Sequence, residues 1–184
     1  MPRLLIIFFI LNIYNPVFSS TKEKIISKML ITNNLSFDFI QTIDDKSENG
    51  KCIIKYPKKI WCEYTGSSKK ILVSNGQSLV IKNKNSRNYY IYPLSKTPLA
   101  FLLDKDYLIS KINMLKPREI DGKFLNFKIL QNNNEINIFF DKKNLDLIGW
   151  QAEDIYQNLS ITFISSVKIN QKINDKVFIL PKNN

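Results

Sequence analysis

A two-residue rhythm, interrupted again and again by turn residues, constrains this chain more than any other feature. Phe37, Phe39, Gln41 and Ile43 alternate with Asp38, Ile40 and Thr42, which places the first group on one face of a strand. Residues 44–50 read as a polar turn. Cys52, Ile54 and Tyr56 then share a face, and Ile60, Cys62 and Tyr64 continue it beyond the turn Pro57-Lys58-Lys59. Asn75-Gly76, between residues 70–74 and 77–82, is the strongest short hairpin signal. Asn88 to Tyr92 is a further strand, ended by Pro93, and Asp121-Gly122 joins residues 118–120 to 124–130. Residues 135–140, 145–154 and 158–168 complete a meander, and residues 177–180 form a last short strand. About ten hairpin-linked strands predict a mainly β protein, a curved antiparallel sheet forming an incomplete β-barrel.

Two stretches break the rhythm. Residues 21–30 set Ile25, Ile26, Met29 and Leu30 on one face of a short helix, with Thr21 as N-cap. In mid-chain, Thr97 caps and Pro98 opens a helix carrying Leu99, Phe101, Leu102 and Leu103; Asp106 caps a second, running to about Asn113. So apolar a connection has to be covered, most simply by lying over the concave side of the sheet. Pro98, Leu99, Phe101, Leu102 and Leu103 are therefore the expected lid.

The N-terminus reads as a secretory signal: Arg3, an apolar run over residues 4–13, and small Ser19 ahead of the expected cleavage point. That run is shorter than the ~20 residues a membrane-spanning helix needs. Residues 1–19 are thus expected to be removed on export, leaving residues 20–184 as one domain. No Cys follows the apolar run, so the chain is not itself expected to carry a lipid anchor.

Composition narrows the chemistry. The net charge is +11, yet Arg occurs only at Arg3, Arg87 and Arg118. Nearly all the positive charge is Lys spread along the chain, which suits a solvated surface better than nucleic-acid recognition. There is no His, which removes Ser-His and Cys-His nucleophile pairs, imidazole bases and the usual zinc sites. No Gly-x-Ser-x-Gly elbow is present either. The chain is not expected to be an enzyme, and no metal or cofactor is implied. Cys52 and Cys62, on one strand face of an exported protein, suggest a disulfide. A three-residue turn at residues 57–59 would put Cys52 opposite Tyr64 and only diagonal to Cys62, so a shifted register is needed.

One strand face is unusually rich in large apolar groups: Phe37, Phe39, Ile54, Tyr56, Ile60 and Tyr64, joined by Leu79, Ile81, Tyr90 and Tyr92. Periodicity describes a filled core and an acyl-chain cavity equally well. Short motifs in consistent order add what periodicity lacks. They are Phe39-Ile40-Gln41, residues 50–57 from Gly50 to Pro57, Val73-Ser74-Asn75-Gly76, Pro93-Leu94 with Thr97-Pro98-Leu99, Gly149-Trp150 and Phe178 to Pro181.

Through these motifs the chain resembles the outer-membrane lipoprotein carrier (LolA) family over nearly its whole mature length. The resemblance implies an incomplete barrel closed by a helical lid. It implies a monomeric periplasmic carrier that takes lipoprotein acyl chains from an inner-membrane ABC exporter to the outer membrane, with or without a separate receptor there. One position departs: the family's best-studied branch has an Arg before the proline of the second strand, pinning the lid, and this chain has Tyr56. A tyrosine can donate one hydrogen bond to a lid carbonyl but carries no charge. The alternative is a lipid-binding receptor or sensor of the same fold serving another lipid.

Overall fold

Period two runs through a single continuous sheet in the computed structural model, which describes residues 20–66, 69–86, 88–131, 134–154 and 157–182. The expected signal at residues 1–19 lies outside the described residues. Helix α1 (Thr21–Ile31) comes first, then β1 (Asn34–Ile43), β2 (Lys46–Lys55), β3 (Lys59–Thr65), β4 (Lys70–Asn75), β5 (Ser78–Asn83) and β6 (Tyr89–Pro93). The connection holds a 3-10 turn (Leu94–Lys96), α2 (Leu99–Leu102) and α3 (Lys105–Met114). Strands β7 (Arg118–Ile120), β8 (Phe124–Gln131), β9 (Asn134–Asp141), β10 (Leu147–Glu153) and β11 (Leu159–Ile169) follow.

Among the described residues, eleven strands form one antiparallel sheet ordered β6-β5-β4-β3-β2-β1-β11-β10-β9-β8-β7. Neighbours in sequence are neighbours in space except β6 and β7; β1 pairs with β11, so the last strand returns to the first. The sheet is not closed: β6 is one edge and β7 the other. The segment between them, residues 94–117, is therefore the one that crosses from edge to edge. It carries α2 and α3 over the concave face, which is why the apolar connection becomes a roof.

That roof is tied to α1. Lys22 Nζ donates to the carbonyl of Asn113 at 2.7 Å, at the end of α3. Lys105 Nζ reciprocates from the start of α3 to the carbonyls of Leu30 (3.2 Å) and Thr32 (3.0 Å). Each cation meets the unsatisfied carbonyls and negative dipole end of the other helix. Apolar packing divides in two: β1 to β3 with Leu94 and Leu103, and β8 to β10 with α1 and α3.

Several boundaries differ from expectation. The polar stretch at residues 44–50 is mostly strand: Lys46 to Asn49 pair with Ile43 to Ile40, leaving Asp44 and Asp45 as the turn. Polar side chains there reflect a solvated strand end. Ser20, not Thr21, caps α1, in a reciprocal capping box with Glu23. Asp104, not Asp106, caps α3, accepting from the Tyr107 amide at 3.1 Å. The Thr97 hydroxyl donates to the Leu94 carbonyl at 2.8 Å and so caps the preceding turn instead of α2. Residues 177–180 are not a strand. Asn174 caps a 3-10 turn (Asp175–Phe178), a local bond that competes with extension, and buries Phe178.

Candidate functional site

On the concave side, Phe39, Gly50 and Tyr64 lie abreast on β1, β2 and β3. With no side chain at Gly50, the Phe39 and Tyr64 rings meet across it edge to face, centroids 4.9 Å apart. The contact aims the Tyr64 hydroxyl along β1 to Gln41, where it donates to Oε1 at 2.9 Å. Gln41 Nε2 in turn donates to Ser160 Oγ (3.0 Å) and Thr162 Oγ1 (3.3 Å) on β11. Burial, followed by the negative charge of Glu48, pushes the Tyr64 phenol well above its ordinary range. Lys70 pairs with Glu48 and lies 4.2 Å above the Tyr64 ring centre.

Gly149 shapes the other wall. β10 shifts register between Leu147 and Gly149, and a side chain at Gly149 (φ +156) would run into the Thr162 carbonyl, 2.2 Å away. The irregularity brings both Leu147 and Trp150 onto the packed side, although they are three positions apart. Trp150 meets Phe37 edge to face at 6.0 Å.

Between these walls and the roof lies a cavity of about 310 Å³, bordered by β1 to β6, β10, β11 and α2. A smaller chamber of about 170 Å³ lies under α1, bordered by Ile25, Met29, Leu35 and Tyr56 among others. A third void of about 20 Å³ shares Leu99, Leu102 and Trp150 with the large cavity, and Tyr56, Leu108 and Leu147 with the small one. Trp150 borders both the large cavity and this third void.

The roof is latched from beneath. Lys58, in the turn between β2 and β3, donates its amide to the Leu103 carbonyl at 2.8 Å. Its own carbonyl accepts from the buried Ser74 hydroxyl (3.0 Å), which accepts from the Gly76 amide (3.1 Å). An ion pair from Lys58 Nζ to Asp104 at 3.3 Å adds to the latch. No hydrogen bond joins the Tyr56 hydroxyl to a roof carbonyl among the described residues. Instead its ring lies 5.9 Å from Lys105 Nζ, and burial pushes its phenol up to about 12. The main-chain bond and ion pair at Lys58, not a hydrogen bond from the side chain at position 56, join the roof to the β2–β3 turn.

The expected cavity residues separate by position. Phe39, Ile60, Tyr64, Leu79, Ile81, Tyr90 and Tyr92 border the large cavity, as do Pro98, Leu99 and Leu102 from the roof. Ile54, Tyr56 and Leu103 border the third void. Phe37 is a buried packing residue behind Trp150, and Phe101 stacks on Tyr107 at 5.2 Å. Cys52 and Cys62 are directly opposite in the β2–β3 pairing and joined by a disulfide, Cα atoms 4.1 Å apart. The turn is centred one residue earlier than the sequence suggests, with Lys55 paired to Lys59. Sequence reasoning did not single out Gln41, Trp150, Ser160 or Thr162 for the cavity. Gln41 sits on the same alternating face as Phe39, which was the available signal; the β11 hydroxyls carry none.

An open antiparallel sheet, wrapped around an apolar cavity and roofed by its own edge-to-edge connection, defines a binding or carrier fold. Residues 31–180 match the family model described as outer membrane lipoprotein carrier protein LolA, and the chain belongs to that family. No curated protein matches the sequence. Among solved structures it is similar to an uncharacterized conserved protein from Thermus thermophilus, at 6% identity and TM-score 0.52, covering 88% of this chain and 93% of that one. A LolA superfamily protein from Nitrosomonas europaea is 10% identical, with TM-score 0.45 and coverage of 88% and 99%. The MucA/MucB complex of Pseudomonas aeruginosa is 7% identical, with TM-score 0.48 and coverage of 88% and 60%. Such low identities speak to fold alone.

Proposed function

We propose that this protein is a periplasmic carrier that shelters the acyl chains of lipoproteins and moves them from the inner to the outer membrane. The observation that carries the reading is the vacant apolar space beneath the roof, about 310 Å³, in a chain of the lipoprotein carrier family. That volume falls in the usual range of ligand pockets. Each methylene taken from water is worth ~0.8 kcal/mol, so a chain of about fifteen holds its host membrane by ~12 kcal/mol. Crossing water unaided would be very slow; an apolar chamber removes most of that barrier.

Release requires the opposite property. Lifting the roof would break the polar bonds at Lys58 and uncover Leu102 and Leu103 while leaving the strand pairing in place. An inner-membrane ABC exporter would supply the cargo, and the carrier binds and hands over without chemistry. Residues 1–19 would direct export and be removed.

The test is release of a radiolabelled lipoprotein from inner-membrane vesicles containing the exporter. Added protein should bring the lipoprotein into the supernatant as a stoichiometric complex. Lipoprotein that stays in the membrane, or a purified protein carrying a different lipid by mass spectrometry, would replace this reading with the receptor or sensor alternative.

A further inference from the structure

The large cavity is not apolar throughout. Ser160 and Thr162, 8% and 3% exposed, are both part of its wall. Each hydroxyl oxygen accepts from Gln41 Nε2, and Gln41 Oε1 is already taken by Tyr64. A hydroxyl that accepts from one neighbour keeps its proton to give elsewhere. Among the described residues, neither hydroxyl proton has an acceptor. The bonds run in one sense, from Tyr64 through Gln41 to the two hydroxyls, and this polarises them as donors. Two buried, oriented donors facing the cavity offer bonds that a ligand can complete, and leaving them unpaired is costly.

We infer that the Ser160–Thr162 pair is a polar subsite that binds the carbonyl oxygen of an ester-linked acyl group, so that the cavity selects glycerol esters over bare hydrocarbon. This rests on the carrier reading and specifies its ligand. Charge near the pair decides between the two common sources of such an oxygen, an ester and a free carboxylate. Glu153 and Asp154 border the same cavity, and Lys70, the cation there, is held by Glu48. An ionised fatty acid would meet carboxylates of its own sign, whereas an ester carbonyl accepts the same bonds and is neutral.

The subsite explains two sequence features together. Gln41 is placed to orient both hydroxyls, and Gly50 leaves room for the Phe39 ring against which Tyr64 packs. Gln41 is thus a positioning residue, and the β11 hydroxyls are the ligand contacts.

The experiment compares three probes of equal chain length on the intact protein: a diacylglycerol, its diether analogue lacking carbonyls, and the free fatty acid. Each competes with a fluorescent acyl probe. The diacylglycerol should bind about tenfold more tightly than the diether, as expected for one or two buried hydrogen bonds. It should also outcompete the fatty acid at neutral pH. In the near-isosteric Thr162→Val and Ser160→Ala double variant, the ester and ether should become equivalent.

Equal binding of ester and ether by the wild-type protein overturns the subsite and leaves the carrier reading standing. Preference for the fatty acid overturns the ester assignment. Failure of all three probes to displace, or of the fluorescent probe to bind, removes the carrier reading and the subsite with it. The wild-type comparison needs no variant, so a misfolded double mutant cannot hide the answer.

Discussion

A methyl group at position 50 would sit 2.1 Å from the Glu63 carbonyl oxygen and 2.8 Å from the Phe39 ring. The backbone carbonyl cannot yield without breaking the β2–β3 pairing. Gly50→Ala should therefore cost about 2 kcal/mol in denaturant unfolding, more than a small change at a strand position usually does. The buried phenols make a second prediction at this scale. Tyr56 and Tyr64 are both held neutral by burial, their ionisation raised above the value near 10 of an exposed phenol. A raised folded-state pKa contributes stability that is complete below pH 10 and is lost as pH rises through about 12 for Tyr56. Phenolate absorbance should thus show two tyrosines titrating only together with loss of the near-ultraviolet circular dichroism. Early titration of all tyrosines in folded protein would contradict the burial.

Elements act here through one another. The hairpin turn at Asn75-Gly76 is legible in sequence, but its consequence is distant: Ser74 fixes Lys58, and Lys58 fixes the end of α2. Ser74→Ala should cost about 1–2 kcal/mol. It should also speed amide hydrogen exchange across α2 and α3 before it affects β1 or β2, and uniform acceleration would show that no separate latch exists. The roof leucines divide in the same way. Leu102 borders the cavity, whereas Leu103 is fully buried among β1 to β3. Leu102→Asp should leave a folded protein with acyl-probe binding reduced at least tenfold. Leu103→Asp buries a charge without a partner and should prevent folding. If both variants fold and bind normally, the roof assignment is wrong.

At the scale of the molecule, a cavity is stability forgone. Leu72 is half-buried on β4 with its side chain on the cavity. Leu72→Trp should fill space that a ligand would otherwise occupy, lowering acyl-probe uptake severalfold with an unfolding midpoint unchanged or raised. A lowered midpoint with unchanged uptake would mean that the cavity is not where the probe binds.

What could be read from the chain alone followed from local physics. Alternation identified the strands and their inward faces, Asn-Gly and Asp-Gly marked turns, and the apolar run after Pro98 had to be covered by something. The motifs around Gln41, Ser74 and Trp150 pointed to the family, yet their physical roles were not visible there. Tertiary structure alone decided the β1–β11 pairing, the one-residue shift that places Cys52 against Cys62, and the bond from Lys58 to the roof. It also decided that Phe37 packs while Phe39 borders open space. The reason is common to all four. Period two specifies which way a side chain points, but distance across a bent sheet specifies whether anything is there to meet it.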